Sequence, residues 1–187
     1  MCQILIQNSK FLDCLLRVDQ DLAAARRSGG CECGGVLHQA HYPRKPRGVP
    51  KGVWGEDVRR FSFCCSACRK RSTAESVRFL GRRVWLALAV VLVTPRTATK
   101  AATQLSQRLA VPMRTLERWR QWWRSQFPQT RFWQAKGARW MPPVAIETLP
   151  GSLLERFEDV LPAQRMMRLL WFIRPLTVGS PIRLNEV

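Results

Sequence analysis

Acidic residues are scarce in this chain. It carries 13 Asp and Glu against 31 Lys and Arg in 187 residues, a formal net charge of +18. No paired-carboxylate motif of the kind acid–base chemistry needs is present. Long apolar runs are missing too. The longest, Val84–Val93, is ten residues, half of the roughly 20 a membrane-spanning helix needs, so it is expected to be a core helix. Met1–Gln7 is apolar but lacks the basic leader and small-residue cleavage site of a secretory signal. There is one Tyr and two His, and no internal repeat.

What is abundant is positive charge, and it is unevenly placed. Residues 1–30 and 141–187 are close to balanced, whereas residues 84–140 hold ten basic side chains and one acid, Glu117. Arg dominates over Lys, and its planar fork suits phosphate and guanine recognition. The expected partner is therefore double-stranded DNA, with no membrane role. Seven cysteines without an export signal suggest a reducing, cytoplasmic setting, where clustered thiols hold metal more often than they pair.

The expected fold class is mainly α with a small β zinc ribbon, followed by a trihelical helix-turn-helix. Four segments are expected. Residues 1–29 form an N-terminal amphipathic helix, its apolar residues spaced over 3–25 and its end marked by Ser28-Gly29-Gly30. Residues 30–81 form the ribbon module, with short extended runs at Val36–Tyr42, Arg60–Cys65 and Ser76–Leu80. Pro43–Gly55 makes a basic loop in which Arg44, Lys45 and Arg47 are candidate DNA contacts. Residues 82–127 form the helical DNA-binding unit. Residues 128–187 form a linker and two short helices, Ser152–Asp159 and Pro162–Phe172. Residues 30–81 have too little apolar material to fold without a staple.

Cys31-Glu-Cys33-Gly-Gly and Cys64-Cys65-Ser-Ala-Cys68 supply that staple. Zinc takes four thiolate or imidazole ligands in a tetrahedron. Two local pairs on tight turns, Cys31 with Cys33 and Cys65 with Cys68, meet this need for one structural ion. Cys64 in place of Cys65, or His38 or His41 in place of Cys31, are the alternatives the spacing leaves open. Cys2 and Cys14 are read as buried or incidental thiols. All positions being filled by protein, a catalytic zinc is not expected.

The second constellation is Leu105-Ser-Gln-Arg-Leu109-Ala110-Val111-Pro112-Met-Arg-Thr115-Leu116-Glu-Arg-Trp119. Its apolar positions can pack two helices across a tight turn at Ala110, with Pro112 suited to a helix start. Helices are expected at Arg83–Val93, Thr99–Leu109 and Met113–Gln126. The last would present Arg114, Thr115, Glu117, Arg118, Gln121 and Arg124 outward. Arg114, Glu117, Arg118 and Gln121 are the base-reading candidates, with Arg120 and Arg124 placed for phosphates. Trp119 is expected in the core, and Trp122 and Trp123 against the tail helices.

A cysteine knuckle, then Phe-x-Cys-Cys-x-x-Cys-Arg, then Leu-Ala-Val-Pro-x-x-Thr-Leu-x-x-Trp resembles the N-terminal region of insertion-sequence transposases and the short mobile-element proteins built like it. The resemblance covers about residues 30–127. It implies metal positions at Cys31, Cys33, Cys65 and Cys68, a recognition helix at Met113–Gln126, and binding to an element's terminal repeats. Transposases of this kind also carry three spaced carboxylates on a ribonuclease-H-like domain. The acids after Phe127, namely Glu147, Glu155, Glu158, Asp159 and Glu186, do not match that pattern. The expectation is a non-catalytic, nucleoid-associated bacterial DNA binder, partnered by a transposase or recombinase encoded nearby. An ordinary regulator dimerising through its 1–27 or 153–172 helices, and an RNA-binding ribbon, are the alternatives.

Overall fold

The computed structural model describes residues 2–43, 59–80, 87–92, 103–104, 106–107, 109–158 and 161–178. Helices dominate, and a small antiparallel sheet accompanies them. Arg44, Lys45, Arg47 and the final residues 179–187 lie outside the described residues, as does most of the expected Pro43–Gly55 loop.

The first helix is displaced from the expected 3–25. Cys2–Gln7 winds as a 3-10 helix, and helix α1 spans Ser9–Ser28. Asn8 makes the break. Its side-chain oxygen accepts the Phe11 amide at 3.1 Å, which caps α1 and ends the preceding turn. The other end falls at Ser28-Gly29 as expected.

Phe11, Leu15, Asp19 and Ala23 are the buried residues of α1, spaced every fourth position. This one stripe serves two cores. Phe11 and Leu15 join the main helical core, while Ala23 packs with Leu37, Phe63, Cys65 and Ala74 in a small core beside the sheet.

The main sheet has three strands in the order β1-β4-β5, where β1 is Leu37–Gln39, β4 is Ser62–Cys65 and β5 is Arg71–Thr73. A second ladder pairs β2, Tyr42–Pro43, with β3, Arg59–Arg60. Two of the three expected extended runs thus contain strands. The third, Ser76–Leu80, does not form one. The turn after Cys65 reverses the chain at once, so Arg71–Thr73 is the segment that reaches β4. At Ser76 the side-chain hydroxyl instead accepts the amides of Arg78 and Phe79, a local turn that competes with a ladder.

The helical half begins with α2, Ala87–Leu92, all of whose residues are buried. Thr103, Gln104, Ser106, Gln107 and Leu109 are helical, and Ala110 then turns left-handed at φ 48°. Amides of Ala110 and Val111 return to the carbonyls of Gln107 and Ser106, and Ser106 Oγ donates to the Val111 carbonyl at 2.7 Å. These bonds satisfy helix-end carbonyls and redirect the chain. Helix α3, Met113–Gln121, follows from Pro112.

The expected single helix to Gln126 changes winding after Gln121. Trp122–Gln126 is a π-helical turn and Phe127–Gln129 a 3-10 turn. The wider turn lets Trp122 and Trp123 meet edge-on at 4.7 Å and both reach Phe127. Trp119 and Trp123 are fully buried, and the Trp123 indole donates to the Val90 carbonyl at 2.9 Å.

The segment after Phe127 is more than a linker. Helix α4, Arg131–Gly137, is capped by Thr130 and buries Trp133 against Phe127. Helices α5, Gly151–Leu154, and α6, Pro162–Ile173, contribute Leu153, Met166, Leu169, Leu170 and Ile173 to the same core as Leu116 and Trp119.

Sheet and helices are fastened at Asp19. Its carboxylate accepts Ser76 Oγ at 2.6 Å, the Val77 amide at 2.7 Å and Arg78 Nε at 2.8 Å. Arg78 also donates to the Arg59 carbonyl and lies over the rings of Phe61 and Phe79. Both charged side chains are almost wholly buried, at 1% and 4% exposure. Removing one partner strands the other charge in a dry site, so Asp19→Ala is expected to cost about 3–5 kcal/mol. Denaturant unfolding of the two proteins measures this. A loss under about 1 kcal/mol would mean that the pair is solvated and not structural.

Candidate metal centre

Two tight turns bring the sulfurs together. In the first, the Gly34 amide bonds to the Cys31 carbonyl at 2.8 Å and the Cys31 amide to the Gly35 carbonyl at 3.2 Å. Gly34 has φ +82°, a conformation that side chains resist. Gly35 is needed for a different reason. A Cβ there would stand 2.5 Å from Cys65 Sγ and 3.0 Å from the Ala67 side chain. In the second turn, the Cys65 amide bonds to the Lys70 carbonyl, and the Ser66 amide reaches across to the carbonyl of Val36, just before β1.

The four Sγ atoms of Cys31, Cys33, Cys65 and Cys68 all lie within 4.8 Å of one another. Cys31 stands 3.6 Å from Cys68, and Cys33 stands 3.5 Å from Cys65, each contact joining one turn to the other. All four are free thiols. Zinc holds sulfur at about 2.3 Å, which sets tetrahedral sulfurs roughly 3.8 Å apart. The observed spacing brackets that value, so the set can hold a metal ion.

The alternatives left open by spacing fall away. Cys64 turns its sulfur toward the carbonyls of Cys65 and Arg69. His41 engages the backbone of Ser62 and packs edge-on against Phe61 and Phe63. His38 is exposed on β1. Cys14 is exposed on α1, which settles it as an incidental thiol and not a buried one.

Amide hydrogens stabilise negative sulfur here. The Gly35 amide and then the Cys65, Cys68 and Cys31 thiols bring Cys33 down from 9.0 to about 6. The Cys68 amide, helped by Ala67, lowers Cys65 despite its burial. The Lys70 amide favours thiolate at Cys68, but the Cys33 sulfur, burial and the other two sulfurs outweigh it and push Cys68 up to about 12. Without metal, the thiols therefore titrate as one coupled cluster, with Cys33 and Cys65 lowered and Cys68 raised.

The expected DNA contacts divide. Arg114, Arg118, Gln121 and Arg124 are exposed. Thr115 does not face outward. It is buried at 2% exposure, and its hydroxyl accepts a hydrogen bond from Arg118 Nη2 at 3.2 Å. It falls one position before Leu116 and shares that inner flank. Arg120 is also turned in, with a side chain only 12% exposed and Nη1 paired to Glu117 Oε2 at 3.2 Å. That pair cancels a charge that the sequence alone assigns to phosphate.

Sequence reasoning missed Asp19 and the amide donors of Cys68 and Lys70. Asp19 had a signal, since it sits four residues from both Leu15 and Ala23 on the apolar stripe. The amide donors had none, because backbone direction is set by the turns. No protein-family model, curated protein or solved structure matches this chain.

Two outcomes are expected. Gly35→Ala forces the Cys65 sulfur out of place and should weaken metal binding by about tenfold or more, whereas Cys64→Ser should leave it unchanged. Competition with a chromophoric chelator measures both. The metal-free, reduced chain should gain stability as pH rises from about 6 to 9, because Cys33 ionises more readily folded than unfolded. It should lose stability between 9 and about 12, because folded Cys68 holds its proton where the unfolded chain releases one. Thermal unfolding across pH, in chelator and reductant, tests for a maximum near 9.

Proposed function

We propose that this chain is a non-catalytic, sequence-specific DNA-binding protein. In this reading the sheet and its cysteines form a zinc ribbon, and the helices around Ala110 form a helix-turn-helix with α3 as the recognition helix. The metal is Zn²⁺, because four sulfur donors in a closed set suit that ion and leave no open position for chemistry. The same four residues would hold it, with backbone amides steadying their charge.

The observation that carries the DNA reading is the two-sided character of α3. Thr115, Leu116 and Trp119 are buried, while Arg114, Glu117, Arg118 and Gln121 stand exposed on the other side, Glu117 paired with Arg120, and Arg124 is exposed in the π turn that follows. Arginine bidentate to guanine and glutamine bidentate to adenine are common major-groove pairings. The net charge of +18 supports attraction to a phosphate backbone. The link to a mobile element, and a transposase or recombinase as protein partner, rests on the motif resemblance alone.

Purified protein should contain one zinc per chain by elemental analysis. DNA selection should yield a defined site whose affinity falls linearly on a log–log plot against salt. Arg118→Ala should cost about 1–3 kcal/mol on that site and less on random duplex. Equal losses on both would make Arg118 a phosphate contact, and absence of duplex binding at low salt would end the DNA reading.

A further inference from the structure

Strand β1 lies at one edge of its sheet, and the register shows which of its groups are spoken for. The Ser66 amide bonds to the Val36 carbonyl, and the Ala40 amide to the Ser62 carbonyl. With His38 opposite Cys64, positions 36, 38 and 40 therefore face β4. The amides and carbonyls of Leu37 and Gln39 point the other way. Among the described residues nothing pairs with them.

That open edge borders a groove of about 680 Å³ between the sheet and the C-terminal half of α1. Its walls include Ala23, Ala24 and Arg27 from α1 and Leu37, Phe61 and Phe63 from the sheet side. Val36, at the mouth, is 62% exposed. The lining carries a cationic Arg27 and no carboxylate.

The geometry points to this edge as a docking site for an extended, acidic segment of a partner protein, which adds beside β1 as a further strand. An incoming strand offers the alternating donors and acceptors that Leu37 and Gln39 need. Its apolar side chains, at every second position, enter the groove over Ala23 and Ala24. A carboxylate at its margin pairs with Arg27. A second copy of this chain fits less well, since each copy brings a charge of +18. A nucleic-acid backbone fits less well too. Phosphates only accept, which leaves both carbonyls unmatched. The inference is independent of the DNA-binding reading, because it uses neither α3 nor the identity of the metal.

The test is amide chemical-shift mapping on the full ¹⁵N-labelled chain under reducing conditions. The probes are a blocked decapeptide alternating Val with Glu and its counterpart alternating Val with Lys. The Val/Glu peptide should shift the Leu37 and Gln39 amides saturably and slow their deuterium exchange by about tenfold. The Val/Lys peptide should bind about fivefold more weakly or worse, and Arg27→Glu should reverse that preference.

Gln39→Pro removes one outward donor while the bonds at His38 and Ala40 keep β1 on the sheet. It should weaken the Val/Glu peptide by about tenfold, with the β4–β5 amides still protected as the check on folding. The proposal is overturned if those two amides stay unmoved up to millimolar peptide, or if binding survives both substitutions. It is equally overturned if duplex DNA, or concentration of the protein alone, produces the same shifts.

Discussion

Four sulfurs confined within 4.8 Å are the constraint on which this structure turns. The sheet beside them is three short strands over a core of five buried residues, Ala23, Leu37, Phe63, Cys65 and Ala74. A core that small contributes little by apolar burial, and such modules rely on a covalent or metal staple. The two turns meet this need by aiming amides at sulfur. They also crowd the four sulfurs, whose hydrogen bonds help to lower Cys33 and to raise Cys68. A divalent cation held by these four sulfurs would take the place of their protons and so couple folding of the module to metal binding.

The consequences extend past the sheet because α1 is shared. One face of this helix reaches the helical core through Phe11 and Leu15 and the sheet core through Ala23. Between them Asp19 collects three hydrogen bonds from the segment that leaves β5. A second tie runs through the far end of the chain, where Thr177 accepts the Ser76 amide and the Arg60 side chain. A glutamate–arginine pair, Glu75 with Arg174 at 2.7 Å, lies beside it. Helix α1, the sheet and the turn at Thr177 are thus fastened around one buried junction. In the proposed function, this junction fixes the ribbon relative to the helix that would read DNA.

Much of this was legible in advance. The cysteine spacing marked the four sulfurs that cluster, since two short-range pairs can converge with little loss of chain entropy. Apolar periodicity placed α1, α2 and α3 and put Trp119 inside. The turn at Ala110 was visible from a small residue between two apolar runs. Legibility failed where a residue's role depends on something distant. Thr115 and Arg120 carry polar side chains on a basic helix, yet packing turns both away from solvent. The segment after Phe127 reads as a linker and two short helices without a shared core, because its aromatics are scattered in sequence. They become a cluster only when Trp133 meets Phe127 and Phe132 meets Phe172.

Sequence by itself determined the local features: helix stripes, caps, the paired cysteines and the excess of positive charge. These depend on contacts within a few residues, where spacing dictates geometry. Tertiary structure alone decided which thiol stayed out of the cluster, which arginines remained exposed, that Asp19 is the fastener, and that the outer edge of β1 has no strand beside it among the described residues. Each of those is a question of which surfaces meet across dozens of residues, and burial settles it by the cost of leaving a charge or a backbone group without a partner.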